Sequence, residues 1–175
     1  MPPLHARRAS TYGPENARDH VLWSLVATVM LTGIMRSAQS VGITRMDIPL
    51  MLGTIATPDR DRAKVAGFVT HMLNGLLFST VYIAAFHSWR RSGALLGALV
   101  GLVHGLFVLL TVIPLLPGVH RRMASDFTGP QPTTRLEPPG FLALNYGRST
   151  PVVTLVAHVV YGAILGAFYK VSRRP

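Results

Sequence analysis

Four apolar blocks, at about 21–43, 65–86, 93–117 and 151–169, constrain this chain more than any other feature. The last three contain no charged residue, and the first is interrupted only by Arg36. Each has about the 20 residues that carry a helix across a hydrocarbon core. The runs are continuous, whereas barrel strands alternate in segments of about ten, so helices are expected rather than strands. A soluble domain of 175 residues has no interior large enough for four such helices. Only 14% of residues are charged, against about a quarter in soluble domains. The reading is an all-α integral membrane four-helix bundle.

Around this domain, 21–170, residues 1–20 read as an exposed tail and 171–175 as a short basic tail. The stretch 21–35, with a basic leader before it and Ser37-Ala38-Gln39-Ser40 after it, is also compatible with a signal peptide. The leader is long and the cleavage pattern poor, which favours a retained helix. Two connections carry apolar segments too short to span. Ile48-Pro49-Leu50-Met51-Leu52 reads as interfacial, and the long loop 118–150 ends in Phe141-Leu142-Ala143-Leu144, expected to dip back onto the membrane.

The net charge of +10 invites a nucleic-acid reading, but the basic residues sit in loops and tails at the ends of the apolar blocks. That placement suits orientation and contact with anionic headgroups, so the expected partner is the lipid bilayer and not nucleic acid. Arg90-Arg91 occupies the shortest loop, and Lys170, Arg173 and Arg174 follow the last span. This pattern predicts a multi-pass inner-membrane protein with both termini in the cytoplasm. The absence of cysteine removes disulfides, thiolate metal sites and cysteine nucleophiles.

Gly93, Gly97, Gly101 and Gly105 recur every fourth residue in the third block, and Gly162 and Gly166 repeat the device in the fourth. Such stripes let helices approach to backbone contact, either within the bundle or against another subunit or copy. A faint internal repeat overlies them. His71, Gly75 and Tyr82 match His158, Gly162 and Tyr169 at identical spacing, and Ile48-Pro49-Leu50 echoes Ile113-Pro114-Leu115. Two repeated helical hairpins would make the second and fourth spans parallel equivalents; coincidence among apolar residues is the alternative.

Polar side chains at depth are costly and mark functional candidates. His71 and His158 fall about 10–12 Å below the outer surface, and His104 about 15 Å, at 1.5 Å rise per residue. Asn74 and Tyr161 lie one turn deeper on the same faces, and Arg36 sits near the outer end of the first span. These residues make a polar layer in the outer half. Hydrogen bonds that simply tie the helices together are one reading. The others are a metal held by His71, His104 and His158, a haem held by two of them, or a quinone or anionic headgroup. Arg36 argues against a bare cation. No Asp or Glu lies in any block, which disfavours proton- or sodium-coupled transport, and no catalytic motif is present.

Met46-Asp47-Ile48-Pro49, His71 to Gly75, Gly118-Val119-His120-Arg121-Arg122-Met123, Leu136-Glu137-Pro138-Pro139-Gly140-Phe141 with Asn145-Tyr146-Gly147, and His158 to Gly162 together resemble a family. It is a family of small bacterial integral membrane proteins of unknown function, and the resemblance covers about 20–170. The family has proline where this chain has Arg121, a departure that bears on that turn. The resemblance implies a four-span fold and a bacterial inner membrane, and no activity. The sequence expectation is therefore a non-catalytic accessory or structural subunit without a cofactor. The alternatives are an intramembrane haem-, metal- or quinone-binding bundle and, more weakly, a small channel or transporter.

Overall fold

The structure is a computed structural model that describes residues 14–125 and 136–171. The start of the tail with Arg7 and Arg8, the centre of the long loop and the basic end with Arg173 and Arg174 fall outside the described residues. Among the described residues the chain forms α1 (Pro14–Ser40), α2 (Ile48–Ala56), α3 (Arg60–Trp89), α4 (Ala94–Phe107), α5 (Ile113–Val119) and α6 (Thr150–Phe168), with no strand. A π turn at Val108–Val112 joins α4 to α5 in one apolar helix, Ala94–Val119. Four helices are long and apolar enough to cross a membrane, so the fold is an all-α, multi-pass bundle. Its outside is what lipid requires: Val65, Leu77, Leu95 and Val103 are all more than half exposed.

The helix ends follow from local chemistry. Asp47 and Asp59 cap α2 and α3 by accepting from Leu50 N (3.0 Å) and Arg62 N (2.8 Å). Arg90 closes α3 in the left-handed region at φ 53°. Gly42, at φ 78°, ends α1 and reverses the chain toward α2. The helix α1 begins at Pro14, inside the stretch the sequence assigns to a tail, and it buries Asn16 and His20. The π turn lies just before Pro114, which lacks an N–H and whose ring clashes with the carbonyl four residues back. The backbone widens instead, and Ile113 N–H reaches Val108 O.

Helix α6 is the centre of the packing, with α4 on one side and α1 on the other, and α1 in turn holds α3. The α4–α6 contact is backbone on backbone. A Cβ added at Gly97 would lie 2.0 Å from Gly162 O, one at Gly101 2.2 Å from His158 O, and one at Gly166 2.2 Å from Gly93 O. These pairs run in opposite directions along the two helices, so α4 and α6 are antiparallel, and the glycine stripes are occupied within the chain. The segment Ile48–Leu52 lies in α2, which packs along the first turns of α3 through Gly53 against Ala63 and Gly67 against Pro49. At the end bearing the long loops, Arg45 pairs with Glu137 (2.9 Å), donates to Asn145 O and faces the Tyr146 ring. Tyr146 in turn donates to Glu137 O, which closes the cap.

Two outcomes test this packing. Gly97→Ala should lower stability in detergent by about 1–3 kcal/mol, the cost of overpacking. Gly118→Ala, with nothing within 4 Å, should leave thermal unfolding unchanged. Burial pushes the Tyr146 phenol up to about 12, with Glu137 adding to the shift and Arg45 opposing it. The neutral phenol therefore stabilises the fold below its ordinary value near 10, and that contribution disappears as pH rises from there toward about 12. Unfolding midpoints measured across this window should fall less steeply in Tyr146→Phe.

Candidate functional site

Five of the polar residues singled out by the sequence line one cavity of about 130 Å³: His71 and Asn74 from α3, His104 from α4, and His158 and Tyr161 from α6. The backbone geometry explains the convergence. Gly101 and Gly105 let α4 press against His158 of α6, which leaves the His104 and His158 rings edge to face with centroids 4.8 Å apart. Helix α3 reaches the same place by way of α1. Thr28 occupies the space where a Cβ on Gly75 would be.

The two helices that flank the cavity, α3 and α4, are joined by the short connection 90–93 yet do not pack closely on one another. Among the described residues they meet here through side chains, with Phe78 4.5 Å from His104 and 6.4 Å from Phe107 and with Tyr82 hydrogen-bonded to His104. The cavity wall comes from both sides of that gap. Val108, Val112 and Ile113 from the widened turn and α5 face His71, Asn74 and Phe78 from α3. Met46, Ile48, Met51 and Leu52, in and just before α2, complete the wall at the loop-bearing end. Helix α2 is itself pinned. His120 donates from Nε2 to Met51 O (2.8 Å) while its Nδ1 accepts from Arg122 N (3.1 Å), which fixes the neutral tautomer in place. The Arg122 guanidinium donates to Thr54 O (2.7 Å) and Ile55 O (3.0 Å), carbonyls at the end of α2 that the helix cannot satisfy.

The histidines are not equivalent. His158 is 5% exposed, and its Nδ1–H donates to Thr154 O at 2.8 Å, leaving Nε2 a lone pair. His104 Nδ1 pairs with Tyr82 Oη at 3.0 Å. Tyr161 donates to Gly75 O at 2.5 Å. His71 differs from both, because its buried Nε2 has no hydrogen-bond partner. An unmet buried polar atom costs about 1–3 kcal/mol, and native folds avoid it unless something else satisfies it.

Arg36 does not join this group. It turns to Gln39 (2.8 Å) and Asp47 (3.0 Å), with its side chain 56% exposed, because the chain reversal after α1 brings Asp47 beside it. Among the described residues no set of three or more histidine and carboxylate side chains is arranged to hold a metal ion. Of the stripe glycines, Gly97, Gly101, Gly105, Gly162 and Gly166 lie in the α4–α6 contact, and Gly93 contributes its carbonyl.

Sequence reasoning passed over a second polar group. His20, Ser24, Thr28 and Thr32 recur every fourth residue in α1 and are all buried, with His20 and Ser24 hydrogen-bonded to Ser79 of α3. The signal was present as a four-residue spacing of polar side chains on one face of an apolar helix. No family model, curated protein or solved structure matches the chain.

Loss of the Arg122 contacts should free α2. Arg122→Ala should raise amide hydrogen exchange of Met51 to Ala56 about tenfold or more, the effect of losing charged hydrogen bonds worth about 1.5–3 kcal/mol. Exchange in α6 should stay as it is.

Proposed function

We propose that this protein binds a small, mostly apolar molecule that enters from the lipid between α3 and the α4–α5 helix. The observation that carries this is that His71, whose buried Nε2 has no hydrogen-bond partner, lines a cavity whose accessible surface is mostly apolar. Binding pockets join apolar walls to a few convergent polar groups in this way. The volume, about 130 Å³, is close to that of the ~150 Å³ void that accepts a benzene ring and well below the ~300 Å³ where drug-sized sites begin. It suits one ring, with a tail left in the lipid, and not a haem macrocycle. A ring carbonyl would accept a hydrogen bond from His71, so the chemistry that fits is a quinone headgroup.

The accessory-subunit reading takes second place, since the glycine stripes that could have faced another subunit are used inside the chain. We place the protein in a bacterial inner membrane with both termini cytoplasmic, from the Arg90-Arg91 loop and from the resemblance to small bacterial four-span proteins.

The test is calorimetric titration of detergent-purified protein with a benzoquinone carrying a short alkyl tail. We expect saturable binding that weakens about tenfold in His71→Ala, the equivalent of one hydrogen bond at 1.4 kcal/mol. Absent binding, or equal affinity in the variant, would overturn the reading.

A further inference from the structure

The hydrogen bonds around the cavity leave an acceptor on its wall without a donor. His158 is bonded from Nδ1 to Thr154 O at 2.8 Å. A carbonyl only accepts, so the proton of the neutral ring sits on Nδ1 and Nε2 carries a lone pair. The ring is 5% exposed and lines the cavity, so the Nε2 edge is the one left to meet an occupant. The hydroxyl protons of the wall are committed elsewhere. Tyr161 donates to Gly75 O, and Thr28 donates to Ser24 O at 2.7 Å. Tyr82 Oη pairs with His104 Nδ1 at 3.0 Å. His104 meets His158 edge to face, and among the described residues no hydrogen bond joins the two rings.

His71 makes a related demand from α3, because its buried Nε2 is also unpartnered. With its proton on Nε2 the ring needs an acceptor, and with its proton on Nδ1 it needs a donor. A carbonyl answers only the first case, whereas a hydroxyl answers both. His158 is stricter. Its lone pair needs a donor, and a quinone has none. A quinone oxygen placed there would set lone pair against lone pair and leave a buried acceptor unmet.

We propose that the cavity selects a ring bearing a hydroxyl, a phenol or the hydroquinone form of a quinone, with His158 Nε2 accepting the hydroxyl proton. The inference rests on the reading of the cavity as a ligand site and narrows its occupant to the reduced, O–H-bearing headgroup. The glycine contact holds the selecting residue in place, since Gly101 lies against the His158 carbonyl and Gly105 against its Cβ. A site built to pair with a hydroxyl rejects the analogue that lacks it, because its own polar group is then stranded. Binding alone is involved, and no electron or covalent bond is exchanged.

The experiment is anaerobic calorimetric titration of the detergent-purified, full-length protein with an alkyl-tailed benzoquinone, its hydroquinone and the dimethyl ether of that hydroquinone. Quinone and hydroquinone match in size, so their difference reads the hydroxyl protons. We expect wild type to bind the hydroquinone about tenfold or more tighter than the quinone, the effect of one hydrogen bond, with the ether no tighter than the quinone. His158→Phe keeps a ring and removes the acceptor, so it should bring the hydroquinone to the level of the quinone. His158→Gln keeps a side-chain carbonyl and should retain part of the preference, and with wild type it decides the matter if His158→Phe fails to fold. Equal wild-type affinity for the two forms, each weakened by His71→Ala, would overturn the selection and leave the ligand site standing. A preference that persists unchanged in His158→Phe would also overturn it. No saturable binding of any of the three would remove the ligand site and the selection together.

Discussion

Everything in this bundle depends on the backbone contact between α4 and α6. In lipid there is no hydrophobic force to draw one apolar helix onto another, so close packing and satisfied polar groups must do it. Five glycines on the two helices remove the side chains that would hold the axes apart, and carbonyls of one helix fill the places where Cβ atoms of the other would be. The same contact fixes the register that sets His104 against His158. A shift of one residue on α4 would put Leu96 and Val100, or Ala98 and Leu102, into that contact.

A helix committed so completely to α6 has little left for its sequence neighbour. Helix α3 is held instead by α1 and α2, through Thr28 against Gly75, Gly53 against Ala63 and Pro49 against Gly67. The gap between α3 and α4 is a consequence of that division, and Pro114 shapes its upper wall by forcing the π turn. The cavity thus arises from a packing conflict, with His71 and His104 on the two sides of the gap and His158 of α6 brought against His104. The interior sets buried hydroxyls and imidazoles among apolar core residues while the exterior is apolar, an arrangement that a nonpolar solvent permits.

The four spans were legible because length and missing charge are one-dimensional properties. So was the residue content of the site: His71, Asn74, His104, His158 and Tyr161 all meet at the cavity. Arg36 was placed with them by depth alone. Depth says nothing about the direction of a long side chain, and Asp47 becomes its neighbour only after the reversal at Gly42. The π turn was hidden because the apolar block runs through Pro114 without a break, and composition does not show where a backbone widens. Ser24, Thr28 and Ser79 escaped notice because hydroxyls are tolerated anywhere in membrane helices, often bonded to their own backbone, as Thr28 is to Ser24 O. Their meaning appears only when α1 and α3 are brought face to face.

In the proposed function α3 and α4 stand apart around a cavity that takes a ligand anchored by His71. An experimental structure of the protein extracted from its native membrane with its bound lipids tests this most directly. Ring-shaped density is expected between α3 and the α4–α5 helix, with one polar atom within about 3 Å of His71 Nε2. A structure in which α3 closes onto α4 and His71 Nε2 finds a protein partner would contradict it.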